Sequence, residues 1–269
     1  MKYVFISDVH GEYEKMLAAL ENAGFNKETD TIVSLGDPFD RGFESKEVLK
    51  YLMNCPHRIL VWGNHDRRLA DLLKGKDYFA YYDQANGVVE TLRSFTGYKN
   101  IGADIYGMID DINNGAAAIG SYIYGYFKEC VYAVEFEDLI ATHAWLPYWK
   151  GNGNEYRLLE NWRDIKSDEL WYDCSWGRSD LLNKCQAYPD KKLIIGHWHA
   201  WRLAEDNFEK RTHPRANNPE KIGIIDCETF EHPNGKLIAI DGCSNYDLGG
   251  RVNAYVYESD CEPILYPAR

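Results

Sequence analysis

Long apolar runs are missing from this chain of 269 residues, and no stretch approaches the ~18 residues that a membrane-spanning helix needs. Cysteine pairs are missing as well. The seven Cys, at 55, 130, 174, 185, 227, 243 and 261, contain no CxxC. An odd number in a chain too large to need a disulfide scaffold points to reduced thiols. An excess of positive charge is also absent, since the formal net charge is −12. That balance disfavours binding along a nucleic-acid backbone, which relies on Lys and Arg to neutralise phosphates. There is no internal repeat and no low-complexity segment, which excludes solenoid and disordered classes. The opening, MKYVFISDVHG, has too short an apolar run for a secretory leader, so the cytoplasm is the expected location.

What remains is a globular composition, 45% apolar and 27% charged, able to build a substantial core. Length admits one large domain or two small ones, and a single domain over 1–269 is the expectation. Residues 2–7 (KYVFIS), 31–35 (TIVSL) and 58–62 (RILVW) read as buried strands. Between them lie two amphipathic helices. EYEKMLAALENAG carries Tyr13, Met16, Leu17 and Leu20 at helical spacing, and Gly24 is a natural stop. ESKEVLKYLMN carries Val48, Leu49, Leu52 and Met53 on one face. The βαβαβ order implies a parallel sheet. Residues 67–130 read as helices and loops and form a candidate insertion or lid, about 70–130. Strands come next at CVYAVEF, LIATHA and KLIIG, the last ending at Gly196. Residues 201–221 read as a polar surface loop, and KIGIIDCETF, KLIAIDG and RVNAYVYE as antiparallel strands. The expected class is α/β with a mixed second sheet.

The chemistry-bearing residues fall in a pattern. Asp8 and His10 follow the first strand, Asp37 the second, and Asn64 and His65 the third. His143 ends LIATHA, and His197 and His199 follow KLIIG. Each group sits just past the C-terminal end of a strand, the edge where open α/β sheets bind ligands. Any one motif alone could be a charged turn or a satisfied histidine pair; together, in this order, they point to a metal centre. Carboxylate, imidazole and amide oxygen suit Mn, Fe or Zn better than Mg or Ca. A bridging carboxylate would hold two ions ~3.5–4 Å apart, a spacing that clamps attacking and leaving oxygens in phosphoryl transfer.

SDVHG, GDPFDRG, GNHD, THA and GHWHA together resemble the motifs of the calcineurin-like metallophosphoesterase superfamily. The DRG ending resembles the branch of serine/threonine phosphoprotein phosphatases and their bacterial and phage relatives, which also holds symmetrical diadenosine tetraphosphate hydrolases. The resemblance covers about 1–70, 138–150, 171–200 and 236–257. It implies a two-sheet β-sandwich flanked by helices and a dinuclear centre. By resemblance, Asp8 and His10 bind the first metal, Asp37 bridges, Asn64, His143 and His197 bind the second, and His199 completes the first site. Phosphoprotein phosphatases often lack that last histidine, so His199 departs from the branch. The resemblance makes His65 the general acid, a role that suits imidazole chemistry near neutral pH. It places Asp40 behind His65 to orient it and Arg41 on phosphate oxygens. Arg178, in CSWGRSD, is the candidate for a second phosphate-binding Arg, or else a surface residue at a helix end. Asp66 stands where phosphoprotein phosphatases usually carry Glu.

The implied activity is hydrolysis of phosphate monoesters, with a phosphoprotein, small phosphate ester or nucleotide as partner and no membrane. A nucleotide phosphoanhydride hydrolase of the diadenosine tetraphosphatase type is the alternative, and a scaffold with a remnant site is disfavoured by the complete ligand set. A covalent route would need Cys174, which lacks the CxxxxxR phosphate loop of cysteine phosphatases. Trp62, Trp145, Trp176 and Trp198 flank the motifs, read first as core packing and second as an aromatic wall for a base.

Overall fold

The computed structural model describes residues 1–99, 104–151, 156–177, 189–207, 228–233, 235–245 and 249–268. Strands β1 (Lys2–Ile6), β2 (Thr31–Ser34) and β3 (Arg58–Leu60) pair in parallel, with α1 (Tyr13–Asn22) and α2 (Ser45–Met53) as the connections. A second sheet is built on β4 (Val131–Glu135), β5 (Leu139–Thr142), β8 (Lys192–His199) and β10 (Leu237–Asp241), in which β5, β8 and β10 run parallel. Its edges are β12 (Ile264–Pro267) and β9 (Phe230–Glu231), both antiparallel to their neighbours. A small hairpin, β6 (Tyr148–Lys150) and β7 (Tyr156–Leu158), stands apart.

Alternation along each strand explains how the sheets stack. Strand side chains point to opposite faces with a period of two. In β1, Tyr3 and Phe5 enter one apolar cluster while Val4 and Ile6 enter another. The first cluster also takes Val33, Val134, Ala141, Ile194 and Ile238 from five other strands of both sheets, and is therefore the filling between them. The second takes Ile32, Ile140, Leu193 and Ile195 together with the helical faces. A strand buried on both faces must be apolar throughout, which is why KYVFI and KLIIG are nearly continuous runs. The expected two-sheet architecture flanked by helices is present.

Residues 67–130 are helical, as expected. They form α3 (Asn64–Leu73), α4 (Tyr81–Ala85), α5 (Val88–Thr96), α6 (Ile105–Asn113) and α7 (Gly120–Glu129). Leu92, Met108, Ile112, Ile123 and Tyr126 are buried and continuous with the helix-side core. Phe95 and Tyr126 meet Phe39 edge-on at 5.6 and 5.2 Å. This segment thus props the loop after β2 from behind. A further helix, α8 (Asp168–Ser175), lies in the chain between β7 and β8.

Several local expectations change. RVNAYVYE yields β11 (Ala254–Glu258), which pairs antiparallel with β1 in the first sheet, not with the other C-terminal strands. KLIAIDG yields β10, parallel to β8. Pairing partners lie too far apart in sequence for a local pattern to specify them. Strand β8 runs on to His199 instead of stopping at Gly196, and α9 (Ala200–Asn207) replaces the start of the expected polar loop. Most of that loop, and most of the KIGIIDCETF strand, lie outside the described residues. No helix among the described residues is long and apolar enough to cross a membrane.

Glu135 in β4 is 4% exposed. Arg163 Nη2 and Lys191 Nζ lie 2.7 and 2.8 Å from its Oε1, and the Tyr266 hydroxyl donates to Oε2. Burial alone would raise this carboxyl; the two cations and the hydroxyl outweigh it and hold the pKa at about 2. A depressed carboxyl stabilises the fold above its unfolded pKa and loses that contribution as pH falls through its folded pKa. Between about pH 4.5 and 2 the native chain should therefore lose up to ~3 kcal/mol from this group. Glu135→Gln should show a flatter fall in urea-melt stability over that window than the native chain; parallel curves would contradict this.

Candidate metal centre

Six parallel strand ends meet at one rim. Asp8 follows β1, Asp37 follows β2, Asn64 follows β3, His143 follows β5, His197 and His199 end β8, and Asp241 ends β10. The loops after β1 and β2 are zipped together by backbone bonds: Asp8 N–H to Gly36 O at 3.1 Å, His10 N–H to Asp37 O at 3.1 Å and Gly11 N–H to Pro38 O at 2.9 Å. Several rim residues adopt left-handed backbone that non-glycine residues resist. Among the described residues, the non-glycine positions with positive φ are Asp8, His10, Asp37, Asp40, Arg41, His197 and Cys243. Each costs about 1 kcal/mol or more, and such strain clusters at functional sites.

Asp37 is the hub. Its Oδ1 accepts the His65 N–H at 3.0 Å, and its Oδ2 lies 3.3 Å from His143 Nε2. It is shared by two three-residue groups, His10–Asp37–His65 and Asp37–His143–His197, in each of which one ligand atom per residue lies within 4.8 Å of the others. The imidazoles are oriented from behind. His10 Nδ1–H donates to Phe39 O at 2.8 Å and His143 Nδ1–H to Leu35 O at 2.7 Å, so both turn Nε2 inward. Asn64 Oδ1 sits 2.9 Å from His143 Nε2. Asp8 Oδ2 accepts from the His197 N–H at 2.8 Å and from the Ser7 hydroxyl.

The electrostatics call for a cation. Asp8, Asp37, Asp66 and Asp241 are each at most 3% exposed, and among the described residues none forms an ion pair with Lys or Arg. Buried charges are normally paired or bound to metal. Burial, with the charge of Asp241 adding to it, drives the Asp8 carboxyl well above its usual range. Burial and then the Asp37 charge push Asp66 up to about 7. Burial would depress His143, but Asp37 and Asp8 outweigh it and raise it to about 10. Burial holds His10 and His197 well below the ordinary histidine value, in the neutral form that binds metal. Mixed nitrogen and oxygen donors with backbone-oriented imidazoles fit metal ions well.

Beside this hub, His65 Nδ1 lies 2.7 Å from Asp40 Oδ2, and His65 Nε2 lies 3.4 Å from Arg41 Nη2. Asp40 is held in turn by Thr91 in α5, whose hydroxyl donates to Asp40 Oδ1 at 2.8 Å and accepts from the Asp40 N–H at 2.8 Å. Thr91 gives no signal in the sequence, because an isolated Thr in a helix marks nothing. Asp66 shows in the sequence only as a departure from a motif. Its Oδ2 accepts from Gly63 N–H at 2.8 Å and Asp37 N–H at 3.1 Å, which splints the loops after β2 and β3.

His199, which the motif assigns to the first metal, ends β8 two residues beyond His197. It is opposite Asp241 in the β8–β10 register, its Nε2 3.8 Å from Asp241 Oδ2, and it groups with Asp241 and Cys243. Arg178 falls outside the described residues. Trp62 and Trp145 are core residues, and the cleft between them holds about 10 Å³, room for one water at most. Trp176 and Trp198 are half-buried and flank His197 at 6.3 and 4.9 Å, with Tyr82 beyond Trp176 at 6.1 Å. Cys174 is fully buried and its thiol is pushed up to about 12 by that burial, which removes it as a nucleophile.

Gly63 is where backbone meets the hub. A Cβ there would stand 2.0 Å from Asp37 Oδ1 and 2.6 Å from Asp37 N. Gly63→Ala must displace Asp37, so metal content should fall while the chain still unfolds cooperatively. Elemental analysis alongside a thermal melt checks this; full metal content would refute it.

The profile of the calcineurin-like phosphoesterases matches residues 1–201. A symmetrical bis(5'-nucleosyl)-tetraphosphatase of Buchnera aphidicola subsp. Acyrthosiphon pisum is 44% identical over 70 residues, 26% of this chain and 26% of that protein. Serine/threonine-protein phosphatase 2 of Salmonella typhimurium is 38% identical over 77 residues, 29% of this chain and 35% of that protein. These matches thus span about a quarter to a third of the relatives' length. Among solved structures, a candidate diadenosine tetraphosphatase superposes with a TM-score of 0.54 at 16% identity, covering 100% of this chain and 94% of that one. A cold-active protein-tyrosine phosphatase of a psychrophilic Shewanella superposes with a TM-score of 0.50 at 14% identity, covering 96% and 76%. At such identities the superpositions speak for the fold alone. The profile match spans most of the chain and includes each strand end that brings a donor to Asp37, and the chain belongs to the calcineurin-like phosphoesterase family.

Proposed function

We propose that this chain hydrolyses phosphate monoesters by direct attack of water at a dinuclear centre. The observation that carries this reading is the sharing of Asp37 between two donor groups, with the His65–Asp40 pair alongside. Asp8, His10, Asp37 and His199 would hold one ion, and Asp37, Asn64, His143 and His197 the other. Mn, Fe or Zn fits the mixed donor set. Bound metal would supply charge neutralisation on the phosphoryl oxygens and a lowered pKa for water.

The chain's own groups do the rest. Arg41 presents a planar guanidinium to phosphoryl oxygens. Asp40, fixed by Thr91, takes the Nδ1–H of His65 and leaves Nε2 to face the substrate. Nε2 hands a proton to the departing oxygen as the P–O bond to it breaks and the P–O bond to water forms. Arg178 is kept as the second phosphate-binding candidate on the motif alone.

A nucleotide substrate is the second reading. Half-buried Trp176 beside His197, with the exposed Tyr82 beyond it, would stack a base. The names of the two relatives divide between these readings.

With Mn supplied, the chain should turn over p-nitrophenyl phosphate, and Asp37→Asn should lose both bound metal and turnover. His65→Gln should cut kcat by ~10²–10⁴ for alkyl phosphates and much less for p-nitrophenyl phosphate, whose leaving group needs little protonation. Equal losses on both would rule out the acid role. Parallel assays on a phosphoserine peptide and diadenosine tetraphosphate decide between the two readings.

A further inference from the structure

Helix α5, in the segment between β3 and β4, carries a hydroxyl among apolar side chains. Val88, Leu92 and Phe95 are each 1% exposed and join the helix-side core, and Thr91 beside them is 0% exposed. Burying a hydroxyl costs free energy unless its hydrogen bonds are made. Here they are made. Thr91 Oγ1 donates to Asp40 Oδ1 and accepts from the Asp40 N–H, both at 2.8 Å. Its one proton is thereby used, so the Ser45 hydroxyl, 3.3 Å away, is the donor to its second lone pair. The loop after β2 meets the same segment at two more places. Lys46 N–H donates to Ser94 Oγ at 2.9 Å. Gly87, just before α5, lies flat on Arg41, where a Cβ would stand 2.2 Å from Arg41 N and 2.5 Å from Arg41 Cα.

Asp40 is therefore held at both oxygens. Oδ1 takes the Thr91 hydroxyl, and Oδ2 faces His65 Nδ1 at 2.7 Å. A carboxylate turns easily about its Cβ–Cγ bond, a broad torsion with no sharp minimum. A partner on each oxygen removes that freedom. The backbone of Asp40 is held as well. It is left-handed, φ 69°, a shape that persists in a non-glycine residue only when its surroundings fix it, and the bond from its N–H to Thr91 is part of that fixing. Orientation passes from α5 to Asp40 and from Asp40 to the imidazole.

We propose that Thr91 is a positioning residue for proton donation, acting through Asp40 to aim His65 at the departing oxygen. The inference rests on the acid role proposed for His65. It gives the helical segment a part in the reaction itself, since the hydroxyl that locks the Asp40–His65 pair comes from α5 and not from the strand-end loops. The requirement falls on one step. An alkoxide needs a proton as the P–O bond breaks, and a nitrophenolate barely does. A loosened imidazole should therefore slow alkyl esters and spare aryl ones, whereas general damage to the metal hub would slow both.

The test compares the full native chain with Thr91→Val, which keeps the shape and removes the hydroxyl, and Thr91→Ser, which keeps the hydroxyl. Thr91→Val should retain the metal content and KM of the native chain. Its kcat for glycerol phosphate should fall by ~10–10²-fold, with kcat for p-nitrophenyl phosphate nearly unchanged. Thr91→Ser should restore the alkyl rate. A readout besides turnover is the ring N–H proton of His65 in NMR, assigned by its loss in His65→Gln. It should lie far downfield in the native chain and in Thr91→Ser, and move upfield or exchange faster in Thr91→Val. Should Thr91→Val fail to fold, Thr91→Cys, a weak donor in the same place, replaces it with the same direction expected. Equal losses on both esters, or a loss of metal, would reduce Thr91 to a structural role and overturn the inference. Unchanged alkyl rates with an unmoved ring proton would overturn it as well. A native chain that turns over neither ester would instead sink the phosphomonoesterase reading, and the ring proton would still decide whether Thr91 holds the pair.

Discussion

Four carboxylates are buried within one rim, and positive charge must be found for them. Asp8, Asp37, Asp66 and Asp241 cannot share that space at low dielectric without a cation or bound protons. The raised pKa values of Asp8, Asp66 and His143 express this constraint, since each group takes up or holds a proton where positive charge is lacking. The surrounding structure holds the arrangement in place. Backbone zippers, the Asp66 splint and the absence of a Cβ at Gly63 and Gly196 keep the loops close. At Gly196 a Cβ would stand 1.8 Å from Ser7 Oγ and 2.3 Å from Asp8 Oδ2.

The sandwich makes such crowding tolerable. The central strands of both sheets are buried on both faces, so their ends are rigid and their positions are set by packing. The helical segment between β3 and β4 adds support from the other side. Phe95 and Tyr126 press on Phe39, and Thr91 bonds to Asp40. Residues that show no motif thus fix the orientation of His65, the group proposed to move the proton. A segment that reads as a lid is also a buttress.

The rim has two chemically distinct halves. Around Asp37, donors are imidazole, carboxylate and amide, with Arg41 in contact with His65. Around Asp241 lie His199 and Cys243, whose Sγ accepts from the Trp201 indole N–H. The two halves share the Asp8 neighbourhood, where Asp241's charge is felt.

Much of the fold and the rim is legible along the chain. Apolar runs in β1, β2 and β8, helical spacing in α1 and α2, and polar residues immediately after each strand specify an α/β fold with a metal-binding rim. Such features are local: they depend on periods of 2 and 3.6 residues and on the residue types just beyond a strand end. Tertiary structure alone decided the rest. It placed β11 beside β1, turned β10 parallel to β8, buried Trp62 and Trp145, tied Thr91 to Asp40, and set His199 beside Asp241 and Cys243. Each of those outcomes depends on register or packing between segments tens of residues apart, and no local period in a sequence encodes the distance between them.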